Sequence, residues 1–267
     1  MANQVDEDDV DADYLFPIIH QETAHILEEA AQEEQELQHY LPSIDSTVVI
    51  RQLPSQGLSF KIWAAANTLV ALLEQYHQHP NNSPLSSVFN CHNNPFSILE
   101  LGSGTGLVGI AAAAILRAKV TITDLPNVLP NLSFNAMANS ATLVLNGGNV
   151  DVSSLRWGEV DDMESIGKDF NMILGSDVVY HDNLYEPLLK TLQFFLGGKS
   201  NTVFVMAHLR RWKKESAFFK KARKLFQIQV LHSDSPLPGA RVGVVVYSFS
   251  RKGANAEVVT NGTISSV

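Results

Sequence analysis

The stretch that decides the fold is ILELGSGTGLVGI, residues 98–110. An apolar run that ends at Leu101 is typical of a buried strand, and the apolar residues after Gly106 are typical of a helix. The glycines between them let the backbone approach a ligand closely and aim free N–H groups at it. Residues 104–109 also satisfy the GxGxxG pattern, which by itself does not identify the ligand. The stretch therefore predicts a strand, a ligand-binding loop and a helix.

Downstream of this unit, short apolar runs alternate with helical stretches. The predicted strands are 97–101, 119–124, 141–145, 170–177, 201–209, 226–231 and 242–250. The predicted helices are, in approximate bounds, 107–117, 127–138, 183–195 and 212–224. Strands that are apolar at almost every position indicate a parallel sheet covered on both faces.

The last two predicted strands are separated mainly by SDSPLPGAR, which is too short for a crossover helix. They are therefore expected to pair antiparallel. The resulting fold class is α/β: a Rossmann-like sheet of seven strands with helices on both faces and a C-terminal antiparallel hairpin.

The flanks of this core differ from it in composition. Residues 6–13 contain six acids, which favours disorder. The predicted organisation is a disordered tail at 1–14, an N-terminal extension at 15–80 packed on the core, the core itself at 95–252 and a second disordered tail at 253–267. Within the extension, the pattern predicts a helix at 18–41, a strand at 47–53 and a helix at 62–76.

The composition indicates whether the chain belongs to the soluble, membrane or secreted proteins. The chain has 267 residues, of which 45% are hydrophobic, so it can bury a large core. The sequence contains no apolar run of the ~18 residues that a membrane span needs. Its first residues, MANQVDEDDV, do not resemble a signal peptide, and the single Cys91 cannot form an intrachain disulfide. We expect a soluble monomer in the cytoplasm, with the nucleus as an alternative location.

The charge is unevenly distributed. The formal net charge is −9, which disfavours non-specific binding to nucleic acids. Residues 209–224, LRRWKKESAFFKKARK, are the exception, with eight basic residues and one acid. Two interpretations of this segment stay open: an ordinary helix with a solvated basic face, or a docking face for an acidic protein or for RNA.

Two acids narrow the choice of ligand at the glycine loop. Glu100 precedes Gly102 by two residues. A carboxylate there would repel a pyrophosphate but would attract S-adenosylmethionine, which carries a sulfonium and an ammonium group. Asp124 ends the second strand, where an acid can accept both hydroxyls of a ribose. Dehydrogenases place an acid there too, and Asp124 could instead cap a helix. The sequence has no GxxxxGK[ST] pattern, which excludes a P-loop.

Taken together, several stretches resemble methyltransferase family 16, the seven-β-strand protein-lysine methyltransferases of the methyltransferase-like group. They are ILELGSGTGLVGI, TDLPNVLPNLSFNAMAN (123–139), LRWGE (155–159), SDVVYHDNLYEPLLKTL (176–192) and, upstream, KIWAAANTLVALLE (61–74). The resemblance covers about residues 47–250. The glycine motif is common to many methyltransferases, whereas its combination with LRWGE and SDVVY is more specific.

This resemblance implies a role for individual residues. The cofactor-binding set is Trp63, Glu100, Gly102, Ser103, Gly104, Asp124, Trp157 and Ser176. Trp63 would border the pocket and Trp157 would contact the adenine, although either could be a core aromatic. Asp177 and Tyr180 match the family's DxxY motif and are the catalytic candidates. Asp177 would attract and orient a lysine ammonium, and the Tyr180 ring would add a cation–π contact. Asp177 could alternatively cap a helix.

The function expected from these observations is S-adenosylmethionine-dependent protein N-methylation, on a lysine of a non-histone protein. Family precedent indicates a chaperone, an ATPase or a translation factor as partner. No metal site is expected, because His77 and His79 lack a Cys or carboxylate at ligand spacing. Two alternatives stay open: an NAD(P)-linked oxidoreductase, and a catalytically silent cofactor-binding adaptor that uses the 209–224 segment. The acceptor could also be a histidine or an arginine.

Overall fold

The computed structural model describes residues 34–89, 96–198, 201–236 and 242–253. The strands are β1 (Gln35–Leu41), β2 (Ser46–Gln52), β3 (Ser97–Leu101), β4 (Lys119–Asp124), β5 (Asn149–Ser154), β6 (Met172–Ser176), β7 (Val203–Leu209), β8 (Phe226–Ser233) and β9 (Val244–Arg251). The α-helices are α1 (Ala64–Gln78), α2 (Leu107–Leu116), α3 (Leu129–Ala138), α4 (Ser140–Asn146), α5 (Val160–Ile166), α6 (Tyr185–Leu196) and α7 (Ser216–Leu225). Short 3₁₀ turns include Leu58–Phe60, Asp182–Leu184 and Lys213–Glu215.

The core is a seven-stranded sheet in the order β5-β4-β3-β6-β7-β9-β8. Neighbours from β5 to β7 are parallel, and β9 is antiparallel to both β7 and β8. The predicted sheet of seven strands with its C-terminal antiparallel hairpin is thereby confirmed. β1 and β2 form a separate antiparallel hairpin.

Both faces of the sheet are covered by helices. One apolar cluster joins α1 to α4 and the β1–β2 hairpin to one face, and a second joins α5 to α7 to the other. Adjacent residues of β3 show the alternation, because Ile98 packs in the first cluster and Leu99 in the second. This double burial explains why the central strands are apolar at nearly every position. Within the described residues, no helix is both long enough and apolar enough to cross a bilayer.

The strand predicted at 141–145 is wrong, because these residues lie in α4. Val144 and Leu145 are 79% and 81% exposed, so the apolar run is not buried on either side of a sheet. Gly147, which has a positive φ of 74°, ends this helix. The strand is β5, whose sequence NVDVSS is polar at four of six positions and which lies at the edge of the sheet.

The helix predicted at 18–41 is also wrong over its last part, where residues form β1 and pair with β2. Most of β1 is exposed, so pairing with β2, and not an apolar pattern, sets its conformation. Residues 18–33 of that predicted helix, the tail at 1–14, Cys91 and residues 254–267 lie outside the described residues. The domain boundaries stay predictions.

A row of buried asparagines ties the hairpin to the core. Asn135 in α3 accepts the Arg51 N–H (2.9 Å) and donates to the Arg51 carbonyl (3.0 Å). Asn139, one turn later, makes the same pair of bonds with Val49 (2.8 and 2.7 Å). Asn131, one turn earlier, accepts a bond from the Arg51 side chain. Side chains four residues apart share a helix face, so this row lies along the free edge of β2.

Candidate active site

The candidate site lies at the carboxyl edge of the sheet, where β3 has β4 on one side and β6 on the other. Open α/β sheets bind ligands in the crevice at such a switch point. The glycine loop follows β3, Asp124 ends β4, Trp157 follows β5, and Ser176 and Asp177 lie at the end of β6. The sheet therefore brings most of the predicted site residues to one edge.

The glycine loop is closely covered on two sides. Gly102 and Gly104 have φ of 60° and 57°, in the left-handed region that favours glycine. A Cβ on Gly102 would lie 2.9 Å from the Trp157 ring, and one on Gly104 would lie 3.0 Å from the Ser59 carbonyl oxygen. Neither position leaves room for a side chain, so both the backbone conformation and the close packing require glycine there.

Ser103 and Asp124 fasten this loop to β4. The Ser103 N–H donates to the Thr123 carbonyl (2.9 Å), and the Thr123 N–H donates to the Ser103 hydroxyl (3.0 Å). The Asp124 carboxylate accepts the N–H of Gly104 (2.8 Å) and of Leu125 (2.7 Å). Burial raises the pKa of Asp124, and the two N–H groups act to lower it. Asp124 does not cap a helix, since α3 begins only at Leu129.

Glu100 lies behind the loop. Its side chain is 1% exposed, and its Oε2 accepts the Gly109 N–H at the start of α2 (3.0 Å). Burial raises the pKa of Glu100 to about 8, although the Ser103 hydroxyl and the Gly109 N–H act to lower it. The carboxyl group is therefore mostly neutral at pH 7, and it does not present a negative charge at the surface of the crevice. The sequence predicts that the charge of Glu100 favours S-adenosylmethionine over a pyrophosphate. The buried position of this carboxyl group does not support that prediction.

The two tryptophans are half-buried, and Trp157 also packs against the second apolar cluster. Trp157 covers Gly102, where a flat indole suits contact with an adenine ring. Trp63 immediately precedes α1 and donates from its Nε1 to the Leu58 carbonyl (3.0 Å). The Arg211 guanidinium lies 4.9 Å from the Trp63 ring centroid. Trp63 thus faces the segment that follows β7.

Asp177 is a buried carboxylate in an unusual backbone conformation. Its φ is 53°, in the left-handed region, and it is 8% exposed. Its Oδ1 accepts the Leu209 N–H (2.9 Å), and its Oδ2 accepts Nη2 of Arg211 (2.9 Å). Burial acts to raise the pKa of Asp177, but His208, Arg211 and the Leu209 N–H outweigh it and hold that pKa below its usual range. Asp177 is therefore ionised at neutral pH, and it is not a helix cap.

His208 and Glu215 form a second layer behind Asp177 that sequence reasoning missed. Both are 1% exposed. His208 Nδ1 lies 3.6 Å from Asp177 Oδ1, and its Nε2 lies 3.1 Å from Glu215 Oε2. Burial acts to lower the pKa of His208, yet the two carboxylates outweigh it and raise that pKa. The available signal was Glu215 itself, the one acid inside a basic segment.

Tyr180 lies beside the same crevice. It is half-buried, and burial raises its pKa, with a further contribution from the Asp124 carboxylate. Val178 and Val179, between it and Asp177, are buried in the core at 2% and 1% exposure. Ser176, half-buried at the end of β6, pairs in register with Ala207. The DxxY segment thus packs its two valines in the core, whereas Tyr180 is half-buried and the Asp177 carboxylate is held by the segment after β7.

Comparisons with known proteins identify relatives of this chain. A family model described as lysine methyltransferase matches residues 43–225, more than half of the chain. The zebrafish (Danio rerio) protein N-lysine methyltransferase METTL21A is 39% identical over 140 residues, which are 52% of this chain and 61% of that protein. Its mouse (Mus musculus) counterpart is 34% identical over 189 residues, 70% of this chain and 78% of that protein.

A third relative is the EEF1A lysine methyltransferase 3 of Xenopus tropicalis, 36% identical over 123 residues. These residues are 46% of this chain and 51% of the frog protein. The chain therefore matches less than two thirds of the length of the zebrafish and frog relatives. The match to the family model includes the glycine loop, Asp124, the DxxY segment and the whole of the 209–225 region.

Proposed function

Because the chain belongs to the lysine methyltransferase family, we propose that it uses S-adenosylmethionine to methylate a lysine side chain of a non-histone protein. The observation that carries the proposal is the position of Asp177. This buried carboxylate already holds a cationic side chain at the carboxyl edge of the sheet, where the glycine loop also lies.

The chemistry of the crevice fits S-adenosylmethionine. Trp157 offers a flat apolar surface for an adenine, and Asp124 offers acceptor lone pairs for ribose hydroxyls at the tip of β4. The backbone of Gly102 and Gly104, which has no room for a side chain, would border the rest of the molecule. When bound, the cofactor would supply an electrophilic methyl group on a sulfonium. In this proposal Glu100 supports the loop from behind.

Asp177 and Tyr180 would handle the acceptor. A lysine ammonium, with a reference pKa of ~10.4, cannot act as a nucleophile until it loses a proton. Asp177 would attract and orient the ammonium, and the Tyr180 ring would add a cation–π contact of about 0.5–2 kcal/mol. Burial in the crevice favours the neutral amine, and the proton can leave to water. Most of the rate enhancement would come from this positioning.

A protein substrate is supported by the names of the relatives, which describe protein N-lysine and EEF1A lysine methyltransferases. A translation factor is therefore one candidate class of substrate, beside chaperones and ATPases. We also propose that the protein acts in the cytoplasm.

The test is the substitution Asp177→Asn. Asparagine tolerates a positive φ, so the backbone is kept while the charge is removed. The protein would be incubated with tritiated S-adenosylmethionine and a cytosolic extract. We expect labelling of the target protein to fall by about 100-fold or more, within the range seen when a positioned catalytic group is removed. Asp182→Asn, at an exposed aspartate five residues later, is the matched control and should leave the labelling unchanged.

Cofactor binding by calorimetry separates the alternatives. Tight binding of NADH with no affinity for S-adenosylhomocysteine would contradict the methyltransferase proposal and support an oxidoreductase. Binding of S-adenosylhomocysteine without any labelling by the unmodified protein would support the silent adaptor. Labelling that Asp177→Asn leaves unchanged would remove Asp177 from the mechanism.

A further inference from the structure

A continuous set of exposed cations lies on the loop after β7 and on the outer face of α7. We refer to it as the basic surface. Its members are Arg210, Arg211, Lys213, Lys214, Lys220, Lys221, Arg223 and Lys224, all exposed. The opposite face of α7, with Phe218, Phe219 and Ala222, is buried against the sheet. The helix is therefore held in place by its apolar face, and its cations face solvent.

Much of this charge is not neutralised within the protein. Lys221 pairs with Glu186, and Arg211 pairs with Asp177. Among the described residues, the remaining four lysines of the basic surface have no acidic partner: Lys213, Lys214, Lys220 and Lys224. The described residues outside 209–224 carry nine Lys and Arg against sixteen Asp and Glu. The basic surface is thus a positive region beside a negative remainder.

The basic surface begins at the candidate active site. Arg211 bonds the Asp177 carboxylate, and Glu215 accepts the Arg211 backbone N–H (3.2 Å), which fixes the loop there. From this end α7 leads away over ten residues, or ~15 Å. About five residues of extended chain cover that length.

We infer that the basic surface binds an acidic segment of the substrate protein, adjacent in its sequence to the acceptor lysine. The inference rests on the proposed function. Without substrate, Arg211 occupies the Asp177 carboxylate, where the lysine ammonium is proposed to bind. On binding, the ammonium takes the place of Arg211, and an acidic side chain of the substrate pairs with the released guanidinium. The Asp177–Arg211 ion pair is thus replaced by two pairs, Asp177 with the ammonium and Arg211 with the acidic side chain. No charge is left unpaired in the crevice.

An acidic peptide fits this surface better than RNA does. Single-stranded nucleic acids are held by several aromatic rings on which successive bases stack. Within residues 209–225, Trp212 is 48% exposed, whereas Phe218 and Phe219 are buried. A nucleic acid longer than the basic surface would also meet the negative remainder of the protein, whereas a short acidic segment would not.

The experiment measures binding of three fluorescein-labelled probes. They are a peptide with a lysine followed by five glutamates, the same peptide with glutamines, and a ten-nucleotide oligouridine. We expect the acidic peptide to bind the unmodified protein about tenfold more tightly than the glutamine peptide, and to weaken as salt screens the charges. In the variant Lys220→Gln/Lys224→Gln its dissociation constant should rise about three- to tenfold, as expected for two exposed charge pairs.

The control variant is Arg117→Gln/Lys119→Gln. This variant also removes two positive charges. Both residues are exposed and lie at the edge where the parallel strands begin, away from the carboxyl edge: Arg117 precedes β4 and Lys119 is its first residue. Its effect on the acidic peptide should stay below about twofold. Equal losses in both variants, equal binding of the two peptides, or tighter binding of the oligouridine would each overturn the inference.

A labelling assay with tritiated S-adenosylmethionine separates this inference from the proposed function. Charge-dependent binding of the acidic peptide without methylation of any protein would contradict the proposed function and, with it, the role of the segment in a substrate. If methylation occurs, Lys220→Gln/Lys224→Gln should raise the KM of the labelled protein and leave kcat unchanged. A lower kcat at an unchanged KM would contradict docking.

Discussion

Glu100 illustrates how burial changes the protonation state of an acidic side chain. The sequence predicts an anionic side chain beside the cofactor, but the structure places the carboxyl group in the core, with its pKa raised to about 8. A group whose pKa is raised on folding stabilises the protein below its unfolded pKa of ~4.5, and this stabilisation is lost as the pH rises through the folded value.

We therefore expect Glu100→Gln to be more stable than the unmodified protein at pH 9 by about 1 kcal/mol or more, and to lose this advantage at pH 5. Urea unfolding at the two pH values measures the difference. Binding of S-adenosylhomocysteine should persist within a few-fold. A variant that folds but no longer binds would show that the charge of Glu100 selects the cofactor after all.

His208 should give the protein a pH dependence of its own. Its pKa is raised because the carboxylates of Asp177 and Glu215 face it and outweigh the effect of burial. The Arg211 guanidinium pairs with the other oxygen of Asp177. The stabilisation from its positive charge is complete below pH ~6.5 and is lost as the pH rises through the folded pKa. His208→Gln, which cannot be charged, should lose more stability at pH 6 than at pH 9.

Urea midpoints at both pH values measure this effect for His208. The matched control is His181→Gln, at an exposed histidine beside the DxxY segment. If the loss in His208→Gln were the same at both pH values, the histidine would be neutral in the folded protein.

At the scale of elements, amide side chains of α3 add hydrogen bonds to the apolar packing that holds the β1–β2 hairpin. Asn135 is fully buried and satisfies the Arg51 N–H, the Arg51 carbonyl and the Thr105 carbonyl (2.8 Å). Asn135→Ala leaves these groups without partners, and we expect it to lower the free energy of unfolding by about 2 kcal/mol or more. Asn127→Ala, at an exposed asparagine in the loop before α3, should change it by less than about 0.5 kcal/mol.

Denaturant titration of the two asparagine variants provides the measurement. Because Thr105 belongs to the glycine loop, Asn135→Ala should also weaken binding of S-adenosylhomocysteine. Equal stabilities of the two variants would mean that water replaces the lost amide.

The elements that the sequence mispredicts are those that an apolar pattern does not describe. β5 is an edge strand with alternating polar residues, whereas α4 carries an apolar run that is largely exposed. β1 is stabilised by pairing with β2 while most of its side chains face solvent. The central strands were predictable because they are buried on both faces and are therefore apolar at nearly every position.

At the scale of the whole molecule, the position of the site was predictable and its contacts were not. Residues at the carboxyl ends of parallel strands meet at one edge of a sheet, so strand assignment was enough to bring Asp124 and Asp177 together. Arg211 and His208 reach Asp177 only through the pairing of β6 with β7, in which Ser176 lies opposite Ala207. Strand order and register of this kind are properties of the folded chain and are not visible in a local pattern.

The charge distribution is also a property of the whole molecule. A negative body with one positive side next to the crevice should orient an approaching acidic segment before contact, which raises the association rate at low ionic strength.

The asparagine row has a consequence for how this protein can change over evolution or by engineering. At Val49 and Arg51 the amides contact main-chain groups, which every non-proline residue carries. These bonds therefore place no demand on the Val49 side chain, whereas Asn135 and Asn139 themselves cannot change, and Arg51 is also held by its side chain through Asn131. A hairpin of different sequence could be transplanted onto this helix, provided that it keeps its inward apolar side chains, an arginine at position 51 and no proline at position 49.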